Sequence, residues 1–448
     1  QLALSIDYSI FMIHRYYEER ETKEKVEAIK SSVKRSFRPI AISALTTIAG
    51  FSALGFMNFL IGKDIAIVLS KGIFFSFLGT MIILPILLYW FDHIIHKLKH
   101  KIVMPKLDFM TKIQIKSRYV LLVLFAIVFI LGFIFQTKTE YLYGSSNLSD
   151  EDTIVADDTA YINHLFGENN QIVVIVPTES LQEEYALISE LMNTDHVISV
   201  TGLSTMVDPN TPLDYLPGSV TAPFIQGGYS RIIINTDIES ENEEMYSFSG
   251  KLKEVVRTHY SEYYLVGSAT SVTDMRDSIT SQGSLIMGLT ILFVGFIVGL
   301  IFKSWKIPLI LLSVITAAIF ISLGYLALTD QKVLYIGYII VMSIQLGATI
   351  DYAVLLTNRY LEERVHKNKK EALTIAFQKS SMSILVSGSI LTIVGFVEAL
   401  YSNLSSITSI GYMLGRGTLI SLIMILSILP PLLYILDPWI IKHQKHLE

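Results

Sequence analysis

Two short motifs place a carboxyl among apolar residues. Asp7-Tyr8 and Asp351-Tyr352 each stand eight residues before an arginine, Arg15 and Arg359. By helical rise, each carboxyl lies about 12 Å from that charged boundary. Aspartate is too short to reach water from there, so each must face a partner or a water-filled seam between helices. Burial disfavours the charged form and hydrogen bonds favour it. A carboxyl balanced between the two can load and release a proton. A static polar pair joining two helices is the competing reading. Tyr8 and Tyr352 point about 100° round the helix from their own aspartates, so each is placed to bond elsewhere.

Three further charges stand inside apolar runs: Lys71, Arg416 and Glu398. Lys71 and Arg416 are each followed by glycine, and their long stems can carry the charge towards an interface. Charge compensation is the alternative. Glu398 either pairs with Arg416 or faces water. His14 reads as interfacial. His93, His96, His100, His443 and His446 lie near lysines, without acidic partners at ligand spacing, so no metal is expected. The chain contains 0 cysteines, which excludes a thiolate site or nucleophile. No G-x-x-x-x-G-K-[ST] loop is present, so neither an ATP motor nor another cofactor is implied. No catalytic residue is expected, and nothing beyond bare charge suggests nucleic acid.

These residues need elements of a particular kind. The chain is 51% apolar and 17% charged, with a mean hydropathy of +0.50. A bilayer core roughly 30 Å thick needs about 20 apolar residues per helix. Segments 38–60, 65–91, 118–136, 283–302, 307–328, 333–357, 380–401 and 407–436 meet that test. Residues 2–14 are apolar but too short to cross, and lack the marks of a signal peptide. They read as the end of a span whose beginning is missing.

Charge sets the expected topology. Segments 15–38, 92–118 and 358–379 carry 8, 7 and 6 Lys/Arg, so they are expected on the cytoplasmic side. Segments 17–36 and 360–379 read as charged helices on that membrane face. From Lys138 to Ser281 there are 23 acidic and 6 basic residues, which places that segment outside. Within it, Gln171–Pro177, His196–Thr201, Arg231–Thr236 and Tyr263–Val266 predict strands. Glu179–Met192 and Glu243–His259 predict helices, and 202–229 a long flexible loop. The result is a small α+β domain.

The membrane part repeats itself. At an offset of 344, Asp7-Tyr8 matches Asp351-Tyr352, Arg15-Tyr16 matches Arg359-Tyr360, and Glu18-Glu19-Arg20 matches Glu362-Glu363-Arg364. One residue is then inserted. At 345, Thr47-Ile48 matches Thr392-Ile393, Gly50-Phe51 matches Gly395-Phe396, and Asp92 matches Asp437; Lys71 and Arg416 are likewise equivalent. Glu398 has Ala53 as its counterpart and stands outside the symmetric set. Both copies run in the same direction, as parallel repeats do. The expected organisation is 1–106 as the end of a first repeat and 107–137 as the first span of a second. Then come the extracytoplasmic domain, 138–282, and the remaining five spans, 283–448.

Duplicated six-span halves and an Asp-Tyr motif in each fourth span resemble the resistance–nodulation–division (RND) superfamily. The single compact external domain and the Asp-Tyr pairs are similar to its MMPL branch. Gly-Arg-Gly at 415–417 and Thr-Ile-Ala-Gly-Phe at 47–51 resemble Gram-positive members. The resemblance implies a membrane helical bundle with a ferredoxin-like, porter-type domain in the bacterial plasma membrane. It also implies that Asp7 faces Tyr352 and Asp351 faces Tyr8, forming a proton relay. The expected function is proton-driven export of hydrophobic or amphiphilic molecules, lipids or drugs, by a non-enzyme. Its expected partners are the amphiphilic substrate, protons, the missing N-terminal half, and in one arrangement a second copy of the chain. A lipid-sensing receptor and an intramembrane aspartyl protease are the alternatives. The protease fits less well, because both motifs read Asp-Tyr and residue 349 is Thr.

Overall fold

The computed structural model describes residues 2–97, 108–144, 154–167, 170–238 and 241–444. Two compact units divide the chain: 1–141 with 281–448, and 142–280.

The first unit is helical: α1 (Leu2–Arg20), α2 (Lys25–Ser52), α3 (Leu60–Lys97), α4 (Asp108–Lys116) and α5 (Arg118–Gln136). Among the described residues, eight helices are long and apolar enough to cross a membrane, of which α2, α3 and α5 are the first three. This is a multi-pass membrane protein.

The second unit begins with α6 (Ile154–Phe166), then β1 (Asn170–Pro177), α7 (Leu181–Met192), β2 (Val197–Thr201), β3 (Tyr229–Thr236), α8 (Glu243–His259) and β4 (Tyr264–Val266). Its sheet runs β2-β3-β1-β4, with each neighbouring pair antiparallel. Register runs from Asn170 opposite Thr236 to Pro177 opposite Tyr229. Alternation buries Ile172, Val174 and Val176 of β1 and Ile232 and Ile234 of β3 on one face. There they join Leu187 and Leu191 of α7 and Phe248, Leu252 and Val256 of α8. Ser180 caps α7 by accepting from the Glu183 amide, and Asn242 caps α8 by accepting from Met245. The stretch 202–229 is more structured than a bare loop. It contains the single-turn helices Leu203–Met206 and Gly218–Thr221, and Ile225–Gln226 pairs with β3.

The chain continues with α9 (Ser268–Phe302), α10 (Lys306–Leu328), α11 (Tyr335–Arg364), α12 (Lys369–Tyr401), α13 (Ser405–Ser427) and α14 (Leu429–Gln444). Helices α9 to α13 complete the eight apolar ones. Two expectations need correction. The basic residues after each Asp-Tyr helix do not form helices of their own along 17–36 and 360–379. Each chain turns at 21–24 or 365–368, and the remaining basic residues become the first turns of α2 and α12. No glycine or proline interrupts Lys25–Arg38 or Lys369–Ser387, so the helix has no reason to stop. Asn368 starts α12 by accepting from the Glu371 amide at 3.0 Å. The last expected span, 407–436, divides at Ile428 into α13 and α14. Pro430-Pro431 removes two successive backbone donors there. The equivalent stretch of α3 carries the single Pro85 and stays continuous.

Candidate functional site

Helices α2 and α11 meet at unusually short range. A Cβ on Gly50 would stand 3.0 Å from the Gly347 Cα, tighter than an ordinary contact, so glycine here favours the close crossing. One turn beyond Gly347, Asp351 meets the hydroxyl-bearing face of α2. Thr46 donates to its Oδ1 at 2.9 Å, Thr47 to its Oδ2 at 3.0 Å, and Ser43 also donates to Oδ2. The two threonine hydroxyls have further acceptors in reach. Both lie near the Ser43 carbonyl, at 2.8 and 3.0 Å, and Thr47 is 3.0 Å from the Gly347 carbonyl. A hydroxyl has one proton, so each threonine must choose among these acceptors.

Asp7 on α1 sits differently. It faces the hydroxyls of Ser387 on α12 and Tyr352 on α11, while its buried Oδ1 has no hydrogen-bond partner. Tyr8 and Tyr352 are both buried. Tyr8 faces Ser43 and Thr47, the hydroxyls that hold Asp351, in place of a direct bond to that carboxyl. The two aspartates therefore differ in surroundings: Asp7 lies near the Tyr352 hydroxyl, whereas Asp351 accepts from α2 hydroxyls that also lie near Tyr8. Both aspartates and both tyrosines line one cavity of about 490 Å³. Its rim carries Arg15, Lys34, Arg38 and Arg359.

Lys71 and Glu398 are exposed, and neither forms an ion pair among the described residues. Arg416 is half-buried and stacks on the Tyr325 ring at 4.4 Å. Its Nε and Nη2 have no hydrogen-bond partner, and among the described residues no ion pair joins it to Glu398. None of these three is ion-paired to Asp7 or Asp351. Among the described residues, no group of three His, Asp or Glu side chains could hold a metal. His100 and His446 lie outside the described residues, as do the side chains of His96 and His443.

The sequence profile of the MMPL family matches residues 1–98 and 225–448, a range that includes both Asp-Tyr motifs. The chain belongs to the MMPL family. Members of that family are transporters, not enzymes. Among individual proteins, this MMPL chain is similar to two from Streptomyces coelicolor, both named as membrane proteins. ActII-3 is 26% identical over 193 residues, 40% of this chain and 26% of its own length. SCO0839 is 27% identical over 177 residues, 38% of this chain and 25% of its own length. The match thus spans about a quarter of each relative.

The charged residues that repeat in this MMPL chain also have structural partners. Tyr16 donates to Asp92 at 2.5 Å, and Arg20 approaches the same carboxylate at 3.5 Å. In the second copy, Tyr360 donates to Asp437 at 2.5 Å, and Arg364 reaches it at 3.0 and 3.2 Å. Glu19 binds Lys23 and Arg35, just as Glu363 binds Lys367 and Lys379. These clusters tie the ends of α1 and α11 to their neighbours.

Ser43, Thr46 and Ser387 were absent from the sequence-derived site, and Thr47 entered only as a repeat match. The available signal was Ser43-x-x-Thr46-Thr47, which puts three hydroxyls on one face of an apolar helix. Repeat symmetry misleads here. Ser387 aligns with Ser43 before the inserted residue, but Thr392 aligns with Thr47 after it. One added residue turns a helix by about 100°. Accordingly, Thr392 meets Thr418 at 3.2 Å and the Gly388 carbonyl at 2.7 Å.

Proposed function

We propose that this chain belongs to a proton-driven RND-type exporter of hydrophobic or amphiphilic molecules, lipids or drugs, in a bacterial plasma membrane. The observation that carries this reading is Asp351 held by three hydroxyls of α2, with Asp7 on the same cavity. MMPL membership supports transport as the activity.

The hydrogen-bond geometry suits a carboxyl that changes charge. As a carboxylate, Asp351 accepts from Ser43, Thr46 and Thr47. Once protonated it becomes a donor. Thr46 and Thr47 can then turn to the Ser43 carbonyl, already within 3.0 Å, without either helix moving far. Neither state leaves a buried hydroxyl unpaired, which lowers the cost of passing between them. Asp7, with an unpartnered oxygen, is the second station, and Tyr352 connects the helices. In this reading Lys71, Arg416 and Glu398 stay outside the relay.

The compact unit 142–280 would be the extracytoplasmic domain. Its strand and helix order, with the sheet order β2-β3-β1-β4, supports a ferredoxin-like, porter-type assignment.

The test is export against an imposed proton gradient by the complete two-half protein in proteoliposomes. Asp351→Asn should abolish gradient-driven export at unchanged protein level. Full activity in that variant would remove the relay. A wild-type protein that binds lipid but moves none under a gradient would favour a lipid-sensing receptor.

A further inference from the structure

We propose that the cavity is also a binding site for an anionic amphiphile, a single alkyl chain carrying a phosphate headgroup. The inference does not depend on the relay, because its test is binding and not transport.

Cations line the cavity from three helices: Arg15 on α1, Lys34, Arg35 and Arg38 on α2, and Arg359 on α11, with Glu362 among them and Arg35 paired to Glu19 at 2.6 Å. Arg15 and Arg359 have Glu18 and Glu362 as partners at 2.8 and 3.4 Å. Lys34 and Arg38 stand one turn apart on one face of α2 and form no ion pair among the described residues. The Arg15 side chain is only 16% exposed, and its buried Nε has no hydrogen-bond partner. Positive residues at a membrane boundary are ordinary, but the boundary alone does not make them converge on one cavity.

Between these cations and the two aspartates, part of the wall is apolar, formed by Phe11, Ile42, Phe302 and Leu355. The volume, about 490 Å³, is in the range of small-molecule sites. A cationic rim beside an apolar strip complements an anionic head with an alkyl tail that stops short of the two aspartates. A zwitterionic head would bring its own ammonium against the same cations. Free phosphate would leave the apolar wall unused. The fitting occupant enters from the adjoining leaflet, its phosphate on Lys34 and Arg38 and its chain along Phe11 and Leu355.

The test uses the 448-residue chain in a maltoside detergent, with dodecyl phosphate as probe and binding read by titration calorimetry. Dodecylphosphocholine and inorganic phosphate are the comparison ligands. Dodecyl phosphate should bind more tightly than either. The double variant Lys34→Gln/Arg38→Gln should weaken it by about tenfold, as expected for losing charge-assisted contacts. Lys30→Gln/Lys370→Gln, at exposed positions away from the cavity, removes the same formal charge and should leave the affinity unchanged. Equal binding of dodecylphosphocholine, or equal loss in both double variants, would overturn the site. Inorganic phosphate binding as tightly as the probe would overturn the amphiphile assignment.

Discussion

At the scale of single residues, Asp351 and Asp7 share a motif but not an environment. Asp351 has three hydroxyl donors on α2, whereas Asp7 faces two hydroxyls and leaves one oxygen unpartnered. Asp351→Asn preserves size and polarity but cannot titrate, so export should cease while folding persists. Thr47→Val removes a hydroxyl that can donate to Asp351 or to the Gly347 carbonyl. A lost bond to a charged group is worth about 1.5–3 kcal/mol, so transport in Thr47→Val should fall about tenfold or more. Tyr8→Phe should be milder, since Tyr8 meets Asp351 only through the α2 hydroxyls. Glu398→Gln, at an exposed position, should leave export rates close to wild type. Initial rates under a fixed gradient separate these outcomes, and equal rates in all variants would contradict the assignment.

At the scale of elements, the site exists because helices approach where side chains are absent. Gly50→Val would push α2 from α11, since even a Cβ there stands 3.0 Å from the Gly347 Cα. In the second repeat, a Cβ on Gly411 would lie 2.7 Å from the Ala399 amide nitrogen and 2.8 Å from the Gly395 carbonyl. Overpacking of this kind costs about 1–3 kcal/mol. Gly50→Val should therefore impair transport more than its modest loss of thermal stability would suggest, because it displaces the hydroxyls from Asp351. Asp437→Asn tests the other anchor. Its carboxylate, only 6% exposed, holds Tyr360 and Arg364. Losing those charge-assisted bonds should cost about 2 kcal/mol, read as a lower melting temperature in detergent. Asp92→Asn should cost less, since Arg20 sits farther away at 3.5 Å. A reversed order would mean the two anchors are not read correctly.

At the scale of the whole molecule, the chain offers a direct topology test because it contains no cysteine. Single cysteines at Asn210 and Lys367 should react with a membrane-impermeant maleimide from opposite sides. Labelling of both from one side would overturn the proposed topology. The unit 142–280 has its own buried cluster, from Ile172 through Ala269 in the first turn of α9. Expressed alone, residues 140–280 should unfold in one cooperative transition; an unfolded product would contradict the independent core.

By itself, the sequence determined the membrane character, the eight apolar helices, the strand and helix pattern of the second unit, and the repeated aspartates. Each of these is written in local composition or spacing: hydropathy over about 20 residues, alternation along strands, or a costly residue recurring at a constant offset. Only the tertiary structure decided what meets Asp351. Ser43, Thr46 and Thr47 lie more than 300 positions away in the chain. Hydroxyls in an apolar helix also have a default partner in the carbonyl one turn back, so their presence alone does not imply a carboxylate. The uneven pairing of the two aspartates was equally hidden, because an inserted residue rotates one helix face while leaving its composition unchanged. Helix boundaries followed the same rule: Pro430-Pro431 breaks a span that Pro85 does not, and the basic turns of α2 and α12 belong to the spans they precede. Periodicity records which residues share a face, but the approach of two backbones at Gly50 and Gly347 decides which faces meet.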